Sequence, residues 1–400
     1  MPTYDIITIG GGLAGSSLAK AMAEHGARVL VLESTTEFKD RVRGEQMTSW
    51  GAAEARELGI YDLLVSTCAN EMKFWAMFIM QAQVDHRDLI ATSESGMPNL
   101  GFFHPEMQGA LIRAAEEAGA EVRRGARVTN VEPGSPARVT VQNGNGDETI
   151  DAGLVVACDG RSSPSRAWAG FETNHERDRM QIAGIFFENM NIPPDTARHV
   201  VSPMRNAQTL LFPSGNGRVR SYVASWKKPG APRFSGDADI PKYIEESISL
   251  GLPPEVFEGA EPAGPLATFD GADTWVAHPY QNGVALIGDA AAASDPNWGQ
   301  GLSLTLRDVR ELRDQLLANG DPEIAGNAYA EAHDRYYADL RAFEDVITDL
   351  FFEPGPEADM RRGRILAGGP DALPEMANLQ NGPGHQPVGT EFCRRVLGDA

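Results

Sequence analysis

Three glycines and one acid near the start of the chain have the spacing to bind a dinucleotide. Gly10, Gly12 and Gly15 form G-x-G-x-x-G, and Glu33 follows about twenty residues on. Such glycines have separate duties: Gly10 permits a tight turn, Gly12 lets backbone approach a pyrophosphate, and Gly15 lets helix and strand pack closely. An acid at Glu33 is placed to accept hydrogen bonds from ribose hydroxyls. Two further acid–glycine motifs follow. One is Asp159-Gly160-x-x-Ser163-x-x-Arg166. The other is Gly288-Asp289-Ala290-Ala291, with Pro296 and Gly299-Gln300-Gly301 after it.

The elements around these residues are readable. Tyr4 to Ile9 is a β-branched run and predicts a buried parallel strand. Leu13 to His25 predicts a helix stopped at Gly26, and Arg28 to Leu32 a second strand. The helix N-terminus would turn free N–H groups toward phosphates. Further on, Ala52 to Leu64 reads as helix broken at Gly59, and Pro105 to Ala118 as helix. A meander follows between residues 126 and 151, with a turn at 143–146. Leu154 to Ala157 is a buried strand running into Asp159. Residues 176–271 change character. Candidate strands Gln181 to Glu188, Gln208 to Phe212 and Val219 to Trp226 predict an antiparallel sheet. Helices are expected over Leu302 to Leu317 and from about Glu323 to Phe352. The Gly/Pro-rich stretch after residue 353 reads as an irregular tail, and residues 84–99 as polar turns.

The fold class expected is α/β: a Rossmann-like dinucleotide-binding domain with a parallel sheet, plus an inserted substrate domain with an antiparallel sheet. Residues 1–72, 100–175 and 272–352 are assigned to the first, 73–99 and 176–271 to the second, and 353–400 to the tail. The chain has 400 residues, 42% apolar and 23% charged, ordinary for a globular protein. Its net charge of −21 argues against nucleic acid or an anionic membrane as partner. Cys68, Cys158 and Cys393 have no metal or redox spacing, so no metal is expected and a reducing compartment is. No secretory leader is read before Tyr4, and the apolar run Phe74 to Met80 is too short to span a bilayer. A cytoplasmic location is expected.

The three ordered motifs resemble those of the FAD-dependent monooxygenases of the para-hydroxybenzoate hydroxylase type, the single-component aromatic hydroxylases. The resemblance spans residues 4–345. It implies that FAD is bound at the first motif by Gly10, Gly12, Leu13, Ala14, Gly15 and Glu33. It places Gln108 and Asp159 beside the cofactor, with Asp289 on the ribityl hydroxyls. Pro296, Gly299, Gly301 and Leu302 would face the flavin, where a helix N-terminus favours the negative charge that reduction develops. Arg43 falls where the family often has an arginine beside the isoalloxazine or pyrophosphate, a cation that would favour anionic reduced flavin. His104 stands where many members have an arginine, and Ala292 where a histidine is usual.

The resemblance implies hydroxylation of an aromatic or polyketide-like small molecule by molecular oxygen, through a flavin hydroperoxide, with NAD(P)H as donor. Only one dinucleotide fingerprint is present. That fits transient nicotinamide binding, or a separate flavin reductase. An apolar pocket is expected from Phe74, Trp75, Met77, Phe186, Phe212 and Trp226. His86, Tyr222 and His278 are candidate bases for a phenolic substrate. Flavin-dependent halogenases share the first motif. Their W-x-W-x-I-P segment is represented here only by Trp226-Lys227-Lys228-Pro229. An isoprenoid-type FAD reductase or a non-catalytic flavin-binding protein would also carry the FAD motifs.

Overall fold

A computed structural model describes residues 3–42, 44–143, 146–367 and 378–385. Its frame is a mixed α/β sheet. The strand Tyr4–Ile9 (β1) lies between Val29–Glu33 (β2) and Gly146–Ala157, parallel to both, with Ile6 opposite Val29 and Leu154. Val284–Leu286 and Glu121–Arg124 extend the parallel order on either side. Alternation along β1 divides two cores. Ile6 joins Leu18, Leu111 and Leu306 on the helical face, while Ile7 and Ile9 join Val139 and Val155 on the other.

Glycines make the first turn possible. Gly10 has φ +104°, and a Cβ there would lie 2.5 Å from the carbonyl oxygen of Cys158. A Cβ on Gly15 would overlap the carbonyl oxygen of Gly10. The helix Leu13–Glu24 (α1) therefore starts directly on the turn, with its first residues buried. The ends of β1 and of Gly146–Ala157 are pressed together, which brings Asp159 to the glycine loop.

The second large sheet is mainly antiparallel. Met180–Glu188, Arg218–Trp226, Ala207–Pro213 and Thr196–Ser202 are neighbours in that order. Phe74–Ile79 then pairs parallel with Thr196–Ser202, and Ala82–Asp88 forms the edge. Alternate residues again serve two faces. Ile182, Leu210 and Tyr222 point to one side, while Ala183, Leu211 and Val223 pack with Tyr243 on the other.

Two expectations differ from the structure. The polar stretch 84–99 is not all turns: its first residues belong to the edge strand Ala82–Asp88, and Leu89–Thr92 is a short helix. The strand's alternation is weak because an edge strand buries little on either face. The tail is not irregular throughout, since Pro356–Ala367 and Asn378–Asn381 are helical. Pro356 at the helix start and acids at 357 and 359 are favourable N-terminal residues. Arg362 then anchors this helix to the carbonyls of Leu350 and Glu353, at 3.2 and 2.8 Å. The long helix Pro322–Phe352 sends Phe343, Ile347 and Phe352 into the same core as Ile182, Leu210 and Tyr222.

Candidate active site

One cavity of about 890 Å³ runs between the two sheets. At one end it is lined by Gly10, Gly12, Glu33, Gln108, Asp159 and Asp289, and further along by Pro296, Gly299, Gly301 and Leu302. Leu13, Ala14 and Gly15 do not line it; they are buried in the first turn of α1. Arg43 lies outside the described residues.

This end is shaped by turns held from behind. Glu33 accepts from the Gly11 N–H at 2.8 Å and from the Thr35 N–H at 2.7 Å, so the acid braces the glycine loop it follows. Asp159 uses one oxygen to cap Ser165, accepting from its hydroxyl at 2.7 Å. The other oxygen, Oδ1, is buried without a partner among the described residues. Arg166 is buried, and its guanidinium donates to the carbonyls of Asp289 and Ala290 at 2.5 and 2.7 Å. Asp308 accepts from the Gly288 N–H at 2.7 Å and is itself held by Tyr336. Asp308 was invisible as a site residue in the sequence, because it sits mid-helix twenty residues after the motif it serves. His104 reaches the Gly44 carbonyl oxygen, with Nδ1 at 2.9 Å, and lines the cavity.

These residues fit FAD. A Cβ on Gly12 would meet nothing closer than Gln108 Nε2 at 3.4 Å, so the backbone there is bare toward the cavity. The N-terminus of α1 stands behind it, suited to a pyrophosphate. The orphan Asp159 oxygen is an acceptor in want of a donor. At the far side of this end the helix Gly301–Asn319 also begins at the cavity wall.

The other end is apolar and aromatic. Trp75, Met77, Ile182, Leu210, Phe212, Phe269 and Trp298 line it. Of the six residues expected in the pocket, Trp75, Met77 and Phe212 are there. Phe74 is not, because strand alternation turns it to the opposite face, where it stacks on the exposed His86 at 5.5 Å. Phe186 and Trp226 share the cavity-side face but sit at opposite ends of their strand pairing, opposite Arg220 and Met180. Both are buried in packing and line no part of the cavity.

Among the candidate bases, Tyr222 lines the cavity and donates its hydroxyl to Glu45. Gly184 opposite makes room, since a Cβ there would collide with the Tyr222 ring. Burial, and then the Glu45 carboxylate, push the Tyr222 hydroxyl well above its usual range. His278 lies elsewhere, with Nε2 on Asn327 at 2.9 Å. Sequence reasoning missed His199, a buried ring on the cavity wall beside Trp75 and Trp298. It missed Leu379 and Gln380 too, which border the cavity from the C-terminal segment.

Arg220 joins the two ends. It is fully buried, stacks 3.6 Å over the Phe186 ring, and pairs with Asp40 at 2.8 Å and Glu45 at 2.9 Å. Those acids lie on the connection that follows β2. No helix among the described residues is long and apolar enough to cross a membrane.

Comparison with known proteins agrees with this geometry. Residues 3–350 match the model of the FAD binding domain family, and the chain belongs to that family. Squalene monooxygenase SE2 of Panax ginseng is 27% identical over 334 residues, 78% of this chain and 58% of that protein. The chain thus spans about three fifths of that relative's length. Digeranylgeranylglycerophospholipid reductase of Methanocella arvoryzae is 27% identical over 353 residues, 84% of this chain and 83% of that protein. The p-nitrophenol 4-monooxygenase PnpA of Pseudomonas putida DLL-E4 superposes with a TM-score of 0.78. It is 18% identical, with 99% of each chain covered, and so shares the fold.

Proposed function

We propose that the protein is a FAD-dependent monooxygenase of the para-hydroxybenzoate hydroxylase type, acting on an aromatic or polyketide-like small molecule. The observation that carries this reading is the cavity, continuous from the bare glycine loop to an aromatic-walled chamber. In this reading the α/β part holds FAD, and the antiparallel part with residues 73–99 holds the substrate.

When bound, FAD supplies the redox chemistry with molecular oxygen, drawing electrons from NAD(P)H or a separate flavin reductase. The chain's own residues do the rest. Gly10, Gly12 and the start of α1 take the pyrophosphate, and Asp159 and Asp289 accept from FAD hydroxyls. Gly299, Gly301 and Leu302 present a helix N-terminus to developing negative charge. Arg43 adds a cation on the connection after β2. Trp75, Phe212 and Trp298 exclude water and set a flat ring against the cofactor end.

The test is oxygen uptake by the purified yellow holoprotein with NAD(P)H and a panel of phenols, with products analysed for one added oxygen atom. Uptake that rises with a phenol and yields hydroxylated product is the expected result. The relationship to an isoprenoid reductase gives the second reading, double-bond saturation. It requires turnover of an isoprenoid with no oxygen consumed, and that outcome would replace the first.

A further inference from the structure

The aromatic wall has a definite order. Tyr222 and Phe212 have ring centroids 6.3 Å apart, Phe212 and Trp75 6.3 Å, Trp75 and His199 5.6 Å, and His199 and Trp298 6.3 Å. Three members of this arc carry polar atoms whose only proton is already committed. Trp298 gives its indole N–H to Thr348 at 2.8 Å. Tyr222 gives its O–H to Glu45. The proton of His199 can be placed by elimination. Gln208 Nε2 donates to the Asn297 carbonyl oxygen at 3.1 Å, and a carbonyl only accepts, so the amide direction is fixed. Gln208 Oε1 therefore faces the imidazole, 2.7 Å from Nε2. That nitrogen must carry the hydrogen.

Burial holds the ring neutral, with its pKa lowered to about 4. A neutral imidazole has one N–H, so Nδ1 keeps a lone pair. Among the described residues Nδ1 has no hydrogen-bond partner, while the ring lines the cavity. Trp75 and Trp298 meet this ring at 79° and 74°, edge-on, and fix its plane.

We propose that His199 is the residue that orients and selects the substrate: its Nδ1 accepts a hydrogen bond from an O–H or N–H on a flat aromatic molecule. The assignment rests on the reading of this chamber as the substrate site. His199 acts here as a fixed acceptor that leaves the proton on the substrate, and Gln208 is the positioning residue that fixes its tautomer. The chamber thus favours donors over their alkylated analogues. An ether would strip water from Nδ1 and offer nothing in return.

The experiment uses FAD-loaded protein without electron donor, titrated with 2-naphthol and with 2-methoxynaphthalene, and follows the flavin absorbance. Wild type is expected to bind the naphthol about tenfold or more tightly than its methyl ether, the scale of one lost hydrogen bond. His199→Leu should erase the preference. His199→Asn, whose amide reaches the place of Nδ1, should restore part of it. Gln208→Leu frees the tautomer and should shrink the ratio while His199 remains, which covers the case of a His199→Leu chain that does not fold. An unchanged ratio in these variants, or no preference in wild type, overturns the proposal. The arms separate it from the functional reading. A His199-dependent preference in a protein that never inserts oxygen sinks the monooxygenase reading alone. Oxygen insertion with a preference indifferent to His199 sinks this inference alone.

Discussion

At its cofactor end the cavity is bounded by backbone; at its substrate end it is bounded by side chains. Gly10, Gly12, Gly299 and Gly301 matter for the Cβ they lack and the turns they allow. Trp75, Phe212, Tyr222, His199 and Trp298 matter for rings delivered by separate strands and a loop. The lesson is about how each end can vary. Gly10 and Gly299, with positive φ and a Cβ position within 2.5 Å of a neighbour, tolerate almost no substitution, whereas Gly12 leaves room that the cofactor would take. A chamber built on alternate positions of a sheet accepts new side chains without disturbing the frame, which is how one fold serves many substrates.

The strongest way to break this contrast is at the glycine loop. Gly15→Val should prevent folding, because its Cβ overlaps the Gly10 carbonyl oxygen. Gly12→Val should fold yet lose flavin to background. Its Cβ would meet only Gln108 Nε2 at 3.4 Å, and the side chain would fill the space left for a pyrophosphate. Flavin-to-protein absorbance and a melting curve on both variants decide the matter. A yellow Gly12→Val protein would remove the loop from the cofactor site.

Next in size is the joint between the two ends. Arg220→Met leaves Glu45 buried and Asp40 partly buried without their guanidinium partner. Breaking a buried pair in this way costs about 3–5 kcal/mol. We expect denaturant unfolding to show that loss, and Arg220→Met with Glu45→Leu to recover part of it. Equal stability of the single variant and wild type would show that the two ends are independent.

The two ends also differed in how far they could be read from sequence. Gly10, Gly12 and Glu33 were legible because a strand–turn–helix needs those residues within one local stretch. The α/β frame was legible for the same reason. The chamber depends on which face of each strand a residue takes, and on distant pairing. Phe74 failed by one step of alternation, and Phe186 and Trp226 by their position along the pairing. His199 sits in a short strand between Pro193-Pro194 and Pro203, and only the pairing of Thr196–Ser202 with Phe74–Ile79 sets it beside Trp75. Arg220 and Asp308 are buried charges that look in sequence like their less buried charged neighbours, and their partners lie 175 and 20 residues away.

A smaller effect should sharpen the account of the cofactor end. The Asp289 turn is held through its main chain by Arg166, whose guanidinium also feels the Asp289 charge. Asp289→Ala should weaken FAD binding by about 1–3 kcal/mol, the cost of a lost partner. Melting in excess FAD should stay near wild type. Fluorescence titration giving wild-type affinity would take Asp289 off the cofactor.

The last test addresses the loop from Asp295 to Gly301, which borders both ends. Its first residue, Asp295, lies with Asp273 and Glu344, all buried, around a void of about 10 Å³. Asp273 Oδ1 and both Glu344 oxygens have no partner among the described residues. Tyr337 donates to Asp273 at 3.1 Å, and Arg179 is turned to Asp345 and Asp349. Glu176 and Arg177 border the same void. Burial, and then the Asp295 charge, push Asp273 up to about 7. Burial pushes Asp295 up to about 6, against the hydrogen bonds from Asn297. Glu344 is raised as well, by burial and then by Asp273. The sign follows from proton counts. Between the ordinary carboxylate range and about pH 7, the folded chain holds protons that the unfolded chain has lost. Stability should therefore be full below that window and fall as pH rises through it. Asp273→Asn removes one of these protons and the like charge beside Asp295. Its thermal midpoint should fall less steeply with rising pH, with a gain of about 1 kcal/mol over wild type on the alkaline side. Superimposable pH profiles would mean that Asp273 does not titrate there. A flattened profile with unchanged flavin affinity would place the cluster under the frame alone, and a matching change in flavin affinity would tie it to the loop that both ends share.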